Sequence, residues 1–531
     1  MNRARPLRAL YVALALLAAL SGCAARASAV RDRDTLVVLE AGDADSMNPL
    51  ITNQYYAFLY QNLIFDRLAG TGADYAATPM LATSWSSDRR GTTWIVRLRR
   101  GVRWSDGAPF SAADVTWTWK ATLDPKTGDP YAGQYDYIRR VVALDPYTVR
   151  FDLSRPNATF VVNVLQSEWI MPAHVFANVP DSALRTSPFG QYPIGTGPYR
   201  LVSWNHDQEC LLAANPYWWG GVPSVKRIDV QVVLDPEGRD DAMLEGAADF
   251  DDGINADNVR RLRRDPRFRF VNIPDLYTRF VQINFRVPGL DDVRVRQAMQ
   301  YGWDRYGIVH GLRHDAATLG ASVEPPALRF WQDAAVKPYP FDPARARALL
   351  DAGGWRLGRD GVRAKGGRRL AFVFSLPSSQ LGNEIAAEFQ ADMAAIGIAI
   401  QVRVLDYATF IDATNQSRFE LAYTGWGGNP DPDQLTLLDS HQFPPAGNNY
   451  GFYRNPAVDR DLEQGLVTLN RARRKALYDD MQVRTARDLP MLFASNENYL
   501  AAYAKRVHPT APELPGLYFF DDVMHWRLDP P

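Results

Sequence analysis

From residue 35 the chain reads Thr-Leu-Val-Val-Leu-Glu, a short β-branched run closed by Ala41-Gly42-Asp43, which predicts the first strand of a sheet. Apolar residues then recur at helical spacing, and Phe58, Leu59, Leu63 and Phe65 predict an amphipathic helix over 55–68. Trp94, Val96 and Leu98 alternate with more polar neighbours as a half-exposed strand does, and Gly101 closes that run. Ser111, with Asp114 three residues on, is a capping-box variant that opens a helix over 111–122. Further helices are predicted over 291–306, 343–352 and 383–396, the second with Pro343 at its start and Gly353 just past its end. Strands predicted over 225–233, 268–273, 280–285, 370–376 and 399–405 interleave with these helices, so the predicted class is α/β with mixed sheets. No repeat of solenoid length and no linker marks a domain boundary, as expected of a chain that crosses between lobes more than once.

Ahead of the first strand, Arg3, Arg5 and Arg8 precede an apolar run over 9–20 that ends in small residues. The run is too short to span a bilayer as a mature helix, and residues 1–22 read as a secretion signal. Leu20-Ser21-Gly22-Cys23 resembles the bacterial lipobox, whose cysteine is acylated and becomes the new amino terminus. Cys23 is therefore the expected lipidation site, with residues 23–31 as a tether in the bacterial cell envelope, facing the periplasm or cell exterior. The only other cysteine is Cys210, which leaves no internal disulfide and is expected as a buried thiol in a hairpin. A chain of 531 residues exceeds a single core. A hydrophobic content of 46% is globular, and a net charge of −1 argues against nucleic acid as a partner.

Enzyme motifs are missing where they are easiest to see. The sequence has no G-x-S-x-G elbow, H-E-x-x-H, C-x-x-C, Walker loop or dinucleotide G-x-G-x-x-G. Gly195-Thr-Gly197 runs into Pro198, which removes an N–H that a phosphate cradle would use. His310 and His314 share i, i+4 spacing but no carboxylate or thiolate completes a ligand set, so surface or packing roles are expected. The densest candidate is GWGGNPDPD over 425–433. Asn429, Asp431 and Asp433 copy the first three ligands of a calcium loop, yet Gln434 stands where glycine is needed and Ser440 where glutamate is. Acids two residues apart also fail as a glycosidase pair. The stretch fits a Gly-rich turn that approaches a ligand with Trp426 as a wall, or else a tight structural turn with Trp426 in a core.

Several stretches, in order, resemble one family: 79–85 (PMLATSW), 98–115 (LRRGVRWSDGAPFSAADV), 195–199 (GTGPY), 215–218 (NPYW), 283–285 (INF), 293–298 (VRVRQA), Asp304-Arg305, 341–346 (FDPARA) with Gly354-Trp355, and 455–459 (NPAVD). They are similar to the family 5 extracellular solute-binding proteins, the dipeptide-, oligopeptide- and nickel-binding components of ABC importers. The resemblance spans nearly the whole exported chain. It implies a two-lobed, type II periplasmic-binding-protein-like α/β fold with an extra domain and hinged closure. Lobe I is expected over 32–69, 191–283 and 498–531, the extra domain over 70–190, and lobe II over 284–497. Turn chemistry makes Trp104, Ser105, Asp106 and Gly107 structural rather than ligand-binding.

By the same resemblance, ligand contacts are expected from Asn53, Gln54 and Tyr55 after the first strand, from Tyr131 after Asp124-Pro-Lys-Thr-Gly-Asp-Pro130, and from Gly425, Trp426, Gly427, Asn429 and Asp431. The chain departs from the peptide binders at both charged ends. Asn429 stands about where they place the aspartate that pairs with a peptide ammonium, with Asp431 a substitute one turn position later. Ser379 or Gln380 stands near the carboxylate-binding arginine, and Tyr423 replaces a basic residue. The expected ligand is a longer, blocked or weakly charged peptide-like solute, or a sugar or metal chelate on the same fold. The expected partner is an ABC permease, with no cofactor, no bound metal, no catalysis and a monomeric chain. A secreted hydrolase would instead need paired acids or a nucleophile and base converging in the cleft.

Overall fold

The computed structural model describes residues 33–52, 54–510 and 516–530. The predicted signal and tether, Cys23 and Asn53 lie outside the described residues. One eleven-stranded mixed sheet runs through both lobes. Its order is Ala399–Leu405, Ala371–Pro377, Leu421–Gly427, Phe268–Ile283, Met491–Ala504, Phe250–Asp252, Thr35–Glu40, Arg227–Val232, Glu209–Ala214 and Tyr199–Asn205, with Ala317–Leu319 paired to Met491–Ala504. Thr35–Glu40 is parallel to both its neighbours, and Leu421–Gly427 is antiparallel to one and parallel to the other.

Two strands join the lobes. Phe268–Ile283 and Met491–Ala504 run antiparallel for 16 and 14 residues, and each changes core along its length. Val271, Tyr499 and Ala501 pack with Leu36, Val38 and Leu212, whereas Val281, Ile283, Leu492 and Ala494 pack with Phe374, Phe389 and Leu421. Between the two cores the register slips: Pro274 pairs with Asn498 and Thr278 with Asn496, so the first strand bulges at Asp275, Leu276 and Tyr277. Sequence periodicity divides this strand into 268–273 and 280–285 because the bulge interrupts its alternation.

Other elements follow their local chemistry, with shifted ends. The first helix is Tyr55–Ile64, four residues shorter than its apolar pattern. Gly197 N–H donates to the Ile64 carbonyl at 2.9 Å, and a Cβ on Gly195 would stand 1.8 Å from that oxygen, so the GTGPY stretch abuts the helix end and only glycine fits. The pattern over 291–306 resolves into the helix Val293–Gly302, an extended Trp303 buried against Phe389, and a π-turn over Gly307–Leu312. Gln380–Ala395 begins three residues early because Ser379 Oγ caps it by accepting from Gly382 N–H.

The extra segment carries its own sheet, in the order Ala82–Ser87, Thr93–Leu98, Thr148–Leu153, Ile138–Asp145, covered by the helix Ala112–Leu123. The predicted capping box is present: Ser111 Oγ accepts from Ala113 N–H, and Asp114 accepts from Ser111 N–H at 2.8 Å. Trp104, Phe110, Trp119 and Phe151 fill the core beneath. Cys210 lies in the hairpin Tyr199–Asn205/Glu209–Ala214, fully buried, and desolvation pushes its thiol pKa up.

Candidate functional site

The GWGGNPDPD turn is built from its own side chains. Asn429 Oδ1 accepts from Asp431 N–H at 2.9 Å, Asp431 Oδ1 from Asp433 N–H at 3.0 Å, and Asp433 Oδ1 from Leu435 N–H at 3.0 Å. Each acceptor reaches the amide two residues on, and the prolines between them have no N–H to compete. The oxygens that imitate calcium ligands are thus committed to the turn. Asn429 Nδ2 also donates to Asn163 Oδ1 at 3.1 Å, which joins this loop to the extra domain.

Asp431 is not available to an ammonium. Its two oxygens meet Arg474 Nη1 and Nη2 at 2.6 Å each, both side chains are at most 5% exposed, and Arg474 also donates to the Gly465 carbonyl and Tyr478 hydroxyl. Burial works against the Arg474 charge, and the Asp431 carboxylate outweighs it to raise the pKa. Nor do the glycines leave backbone bare for a ligand. A Cβ on Gly425 would lie 2.3 Å from the Tyr277 ring, which pairs across the strands with Gly427 and covers both glycines.

Strand alternation separates the remaining candidates. Tyr423, Gly425 and Gly427 share a face with Val281, Arg279 and Tyr277, while Trp426 lies on the other with Thr278 and Phe280. Trp426 is half-buried against a core that includes Leu276 and Phe280. Gln380 is exposed and its side chain donates to Glu384 on its own helix. Tyr131 is exposed beside Asp129, and Gln54 precedes the helix that Tyr55 opens. His310 and His314 bond to Asp315 and Asp257 separately and share no site.

Residues that periodicity did not single out gather where the lobes cross. Arg279 Nε is 3.6 Å from Glu497, its guanidinium lies 4.7 Å from the Tyr277 ring centre, and Arg313 pairs with the same Glu497. Both guanidinium charges act on the Tyr423 hydroxyl, which is buried without a hydrogen-bond partner. Where 380 and 423 are neutral, Arg279 and Arg313 place two cations against one carboxylate, Glu497. Arg313 stood inside the HGLRH stretch read only for its histidines.

At the carboxyl ends of the parallel strands stand Glu40, Asp251 and Asp252, with Asp275 on the bulge. Open α/β sheets place their ligands at such strand ends. Tyr499 donates to Asp252, and Arg239 Nε reaches Asp251 at 3.2 Å. Desolvation raises all four carboxyls, Asp252 to about 6 and Asp251 to about 7. The sequence signals were a terminal acid on an otherwise apolar strand (TLVVLE) and the acid pair after Phe250. Elsewhere, Asp439, His441 and Glu463 are the one His/Asp/Glu group among the described residues whose ligand atoms lie within 4.8 Å of one another. A cavity of about 20 Å³ between Val259, Phe270 and His314 is too small for a solute.

Comparison with known proteins agrees with this architecture. The profile of the Bacterial extracellular solute-binding proteins, family 5 Middle, matches residues 76–448. The Glutathione-binding protein GsiB of Pectobacterium atrosepticum is 28% identical over 516 residues, covering 94% of this chain and 93% of that one. The crystal structure of NikZ from Campylobacter jejuni in complex with Ni(L-His) superposes with a TM-score of 0.77 at 26% identity, over 93% of this chain and all of that one. The ABC transporter substrate binding protein CtaP of Listeria monocytogenes shares the fold with a TM-score of 0.82 at 22% identity, over 93% and 99%. With a profile match over most of its length and a sheet that passes twice between two lobes, this chain belongs to the bacterial extracellular solute-binding proteins of family 5.

Proposed function

We propose that the chain captures peptides or peptide-like solutes outside the cytoplasmic membrane, closes its lobes on them, and delivers them to an ABC permease while acylated Cys23 holds it at the membrane. The observation that carries this reading is the Arg279–Arg313–Glu497 group beside Tyr277 and Tyr423: its surplus guanidinium charge suits a carboxylate-bearing solute. Closure turns on the bulge at 274–278, where two strands alone connect the cores and few ladder bonds resist a change of twist. Trp426, half-buried on the strand beside the bulge but on the face opposite Arg279 and Tyr423, supplies a separate apolar wall. The relatives span a glutathione binder and a Ni(L-His) binder, and a metal chelate also presents carboxylates to such an arginine pair.

Native mass spectrometry of the full chain, purified gently from its own host, tests the reading by weighing and fragmenting what stays bound. Co-purified peptides are expected. A metal chelate or a sugar would keep solute transport and overturn the peptide assignment.

A further inference from the structure

Glu40 is 2% exposed, and neither of its carboxylate oxygens has a hydrogen-bond partner. Buried carboxylates are normally paired or hydrogen-bonded, because removing a charge from water is costly. The pairing of Leu39 with Asp251 sets Glu40 beside Asp252, another acceptor, so the two groups can share only a proton. The nearby cation, Arg239, is engaged by Asp251 and the Val233 carbonyl. Asp275, on the bulge, receives one backbone bond from Leu276 N–H at 2.7 Å. Among the described residues Arg239 is the one cation that acts on Glu40, and it does not offset the desolvation and acidic neighbours that raise its pKa.

The group nonetheless stands beside a partly exposed side chain. Tyr55 opens the helix after the first strand and is 47% exposed, yet Asp252, Glu40 and Asp275 all act on its hydroxyl. Desolvation is the larger cause of the raised Tyr55 pKa, and the acids act on the hydroxyl of a side chain that is itself partly exposed. Tyr56 packs flat on Gly42, where a Cβ would stand 2.4 Å from its ring, and adds a second aromatic face. Asp252, Glu40 and Asp275 are absent from the His/Asp/Glu groups whose ligand atoms lie within 4.8 Å of one another, so they do not form a metal cage. Spread acceptors with aromatic faces instead match an organic cation that carries several N–H donors.

We propose that Glu40, Asp252 and Asp275, at the crossing of the lobes beside Tyr55, form the seat for a cationic group of the solute, an ammonium or a guanidinium. The inference rests on the solute-capture reading above and deepens it. It relocates the counter-charge that Asn429 lacks, on lobe I rather than in the GWGGNPDPD turn, and apart from the arginine pair proposed to take a carboxylate. A bound cation replaces the proton held between Glu40 and Asp252, which leaves the protein as the solute enters.

The test uses the full chain stripped of endogenous solute, and a set of alanyl peptides of two to nine residues, each offered free and N-acetylated, with cello-oligosaccharides beside them. Native mass spectrometry at pH 7.5 is expected to show free peptides retained at least about tenfold over their acetylated forms. Glu40→Gln with Asp252→Asn should abolish that preference, as should the more exposed Asp275→Asn in part. Equal retention of free and acetylated peptides, or a preference that survives in the variants, overturns the cation seat while peptide capture stands. Retention of sugars and no peptide overturns both.

A second readout needs no solute. The groups that act on Glu40 or on which it acts are Asp251, Asp252, Arg239, Tyr55, Tyr56, Tyr60 and Tyr499, with Asp275 acting on Asp252, and the acids among them are raised by burial. Raised folded-state pKa values mean that the folded chain holds protons the unfolded chain releases. The contribution of these acids to stability is then full below about pH 4 and lost as pH rises through the values of about 6 for Asp252 and about 7 for Asp251. The melting temperature of the empty chain should fall between pH 5 and 8, and Glu40→Gln should flatten that fall. An unchanged slope in Glu40→Gln removes the unpaired-acid premise.

Discussion

Asp431→Ala is expected to destabilise the protein by ~3–5 kcal/mol while leaving solute affinity within a factor of about two. The residue reads in sequence as part of a ligand loop, and its oxygens are instead the bidentate partner of Arg474. Removing the carboxylate strands a guanidinium in the core, where its remaining acceptors are one carbonyl and one phenol. It also removes the acceptor for Asp433 N–H, so the ladder of side-chain turns over 429–435 loses its middle rung. Part of the loss is recoverable, because Asp433 and Glu324 are buried nearby with raised pKa values to which the Asp431 charge contributes. Without Asp431 they ionise more readily and face Arg474, which places the expected effect toward the lower end of the range at high pH and the upper end near pH 5. Denaturant midpoints at the two pH values, with affinity for the co-purified solute measured on the same samples, check both halves. A variant of unchanged stability that no longer binds would return Asp431 to the pocket.

The contrast between Asp431 and Ser111 shows what a sequence can disclose. Ser111 and Asp114 are three residues apart, and their capping box forms from local geometry alone. Strand periodicity located Ala399–Leu405 and Thr35–Glu40 for the same reason: alternation is a property of the segment itself. Asp431 finds Arg474 across 43 residues, and Glu40, Asp252 and Asp275 come together from three strands. Their proximity depends on strand order and on a register slip, neither of which leaves a local trace. The bulge over 275–277 even disguised its own strand, because the residues that slip the register are those that break the period. The charged site was hidden for a similar reason. Asn429, Gln380 and Tyr423 are neutral, whereas the charged groups near the lobe crossing, Arg279, Arg313 and the strand-end acids, come from unrelated segments.

Two tryptophans separate support from recognition. Trp104 is fully buried in the extra domain, where its ring meets Phe110 at a centroid distance of 6.3 Å and its backbone closes the turn through bonds to Ala108 and Gly107. Asp106 holds that turn from outside, accepting from Ala108 N–H and facing His174 at 2.8 Å. Trp104→Ala leaves a cavity the size of an indole in a core that cannot collapse around it, and is expected to cost ~3–5 kcal/mol with little change in the affinity of the surviving folded protein. Trp426 is only half-buried, and one neighbour on its strand is a glycine whose space another ring already fills. Truncating it removes a wall more than a keystone. Trp426→Ala should lower solute affinity by tenfold or more, about 1.4 kcal/mol or above, while stability falls by less than the Trp104 variant loses. Calorimetric titration and thermal unfolding of the two variants side by side measure both axes. If each variant moved stability and affinity equally, Trp426 would belong to the core and the apolar wall of the solute site would have to be sought on the opposite face of the strand, with Tyr277 and Tyr423.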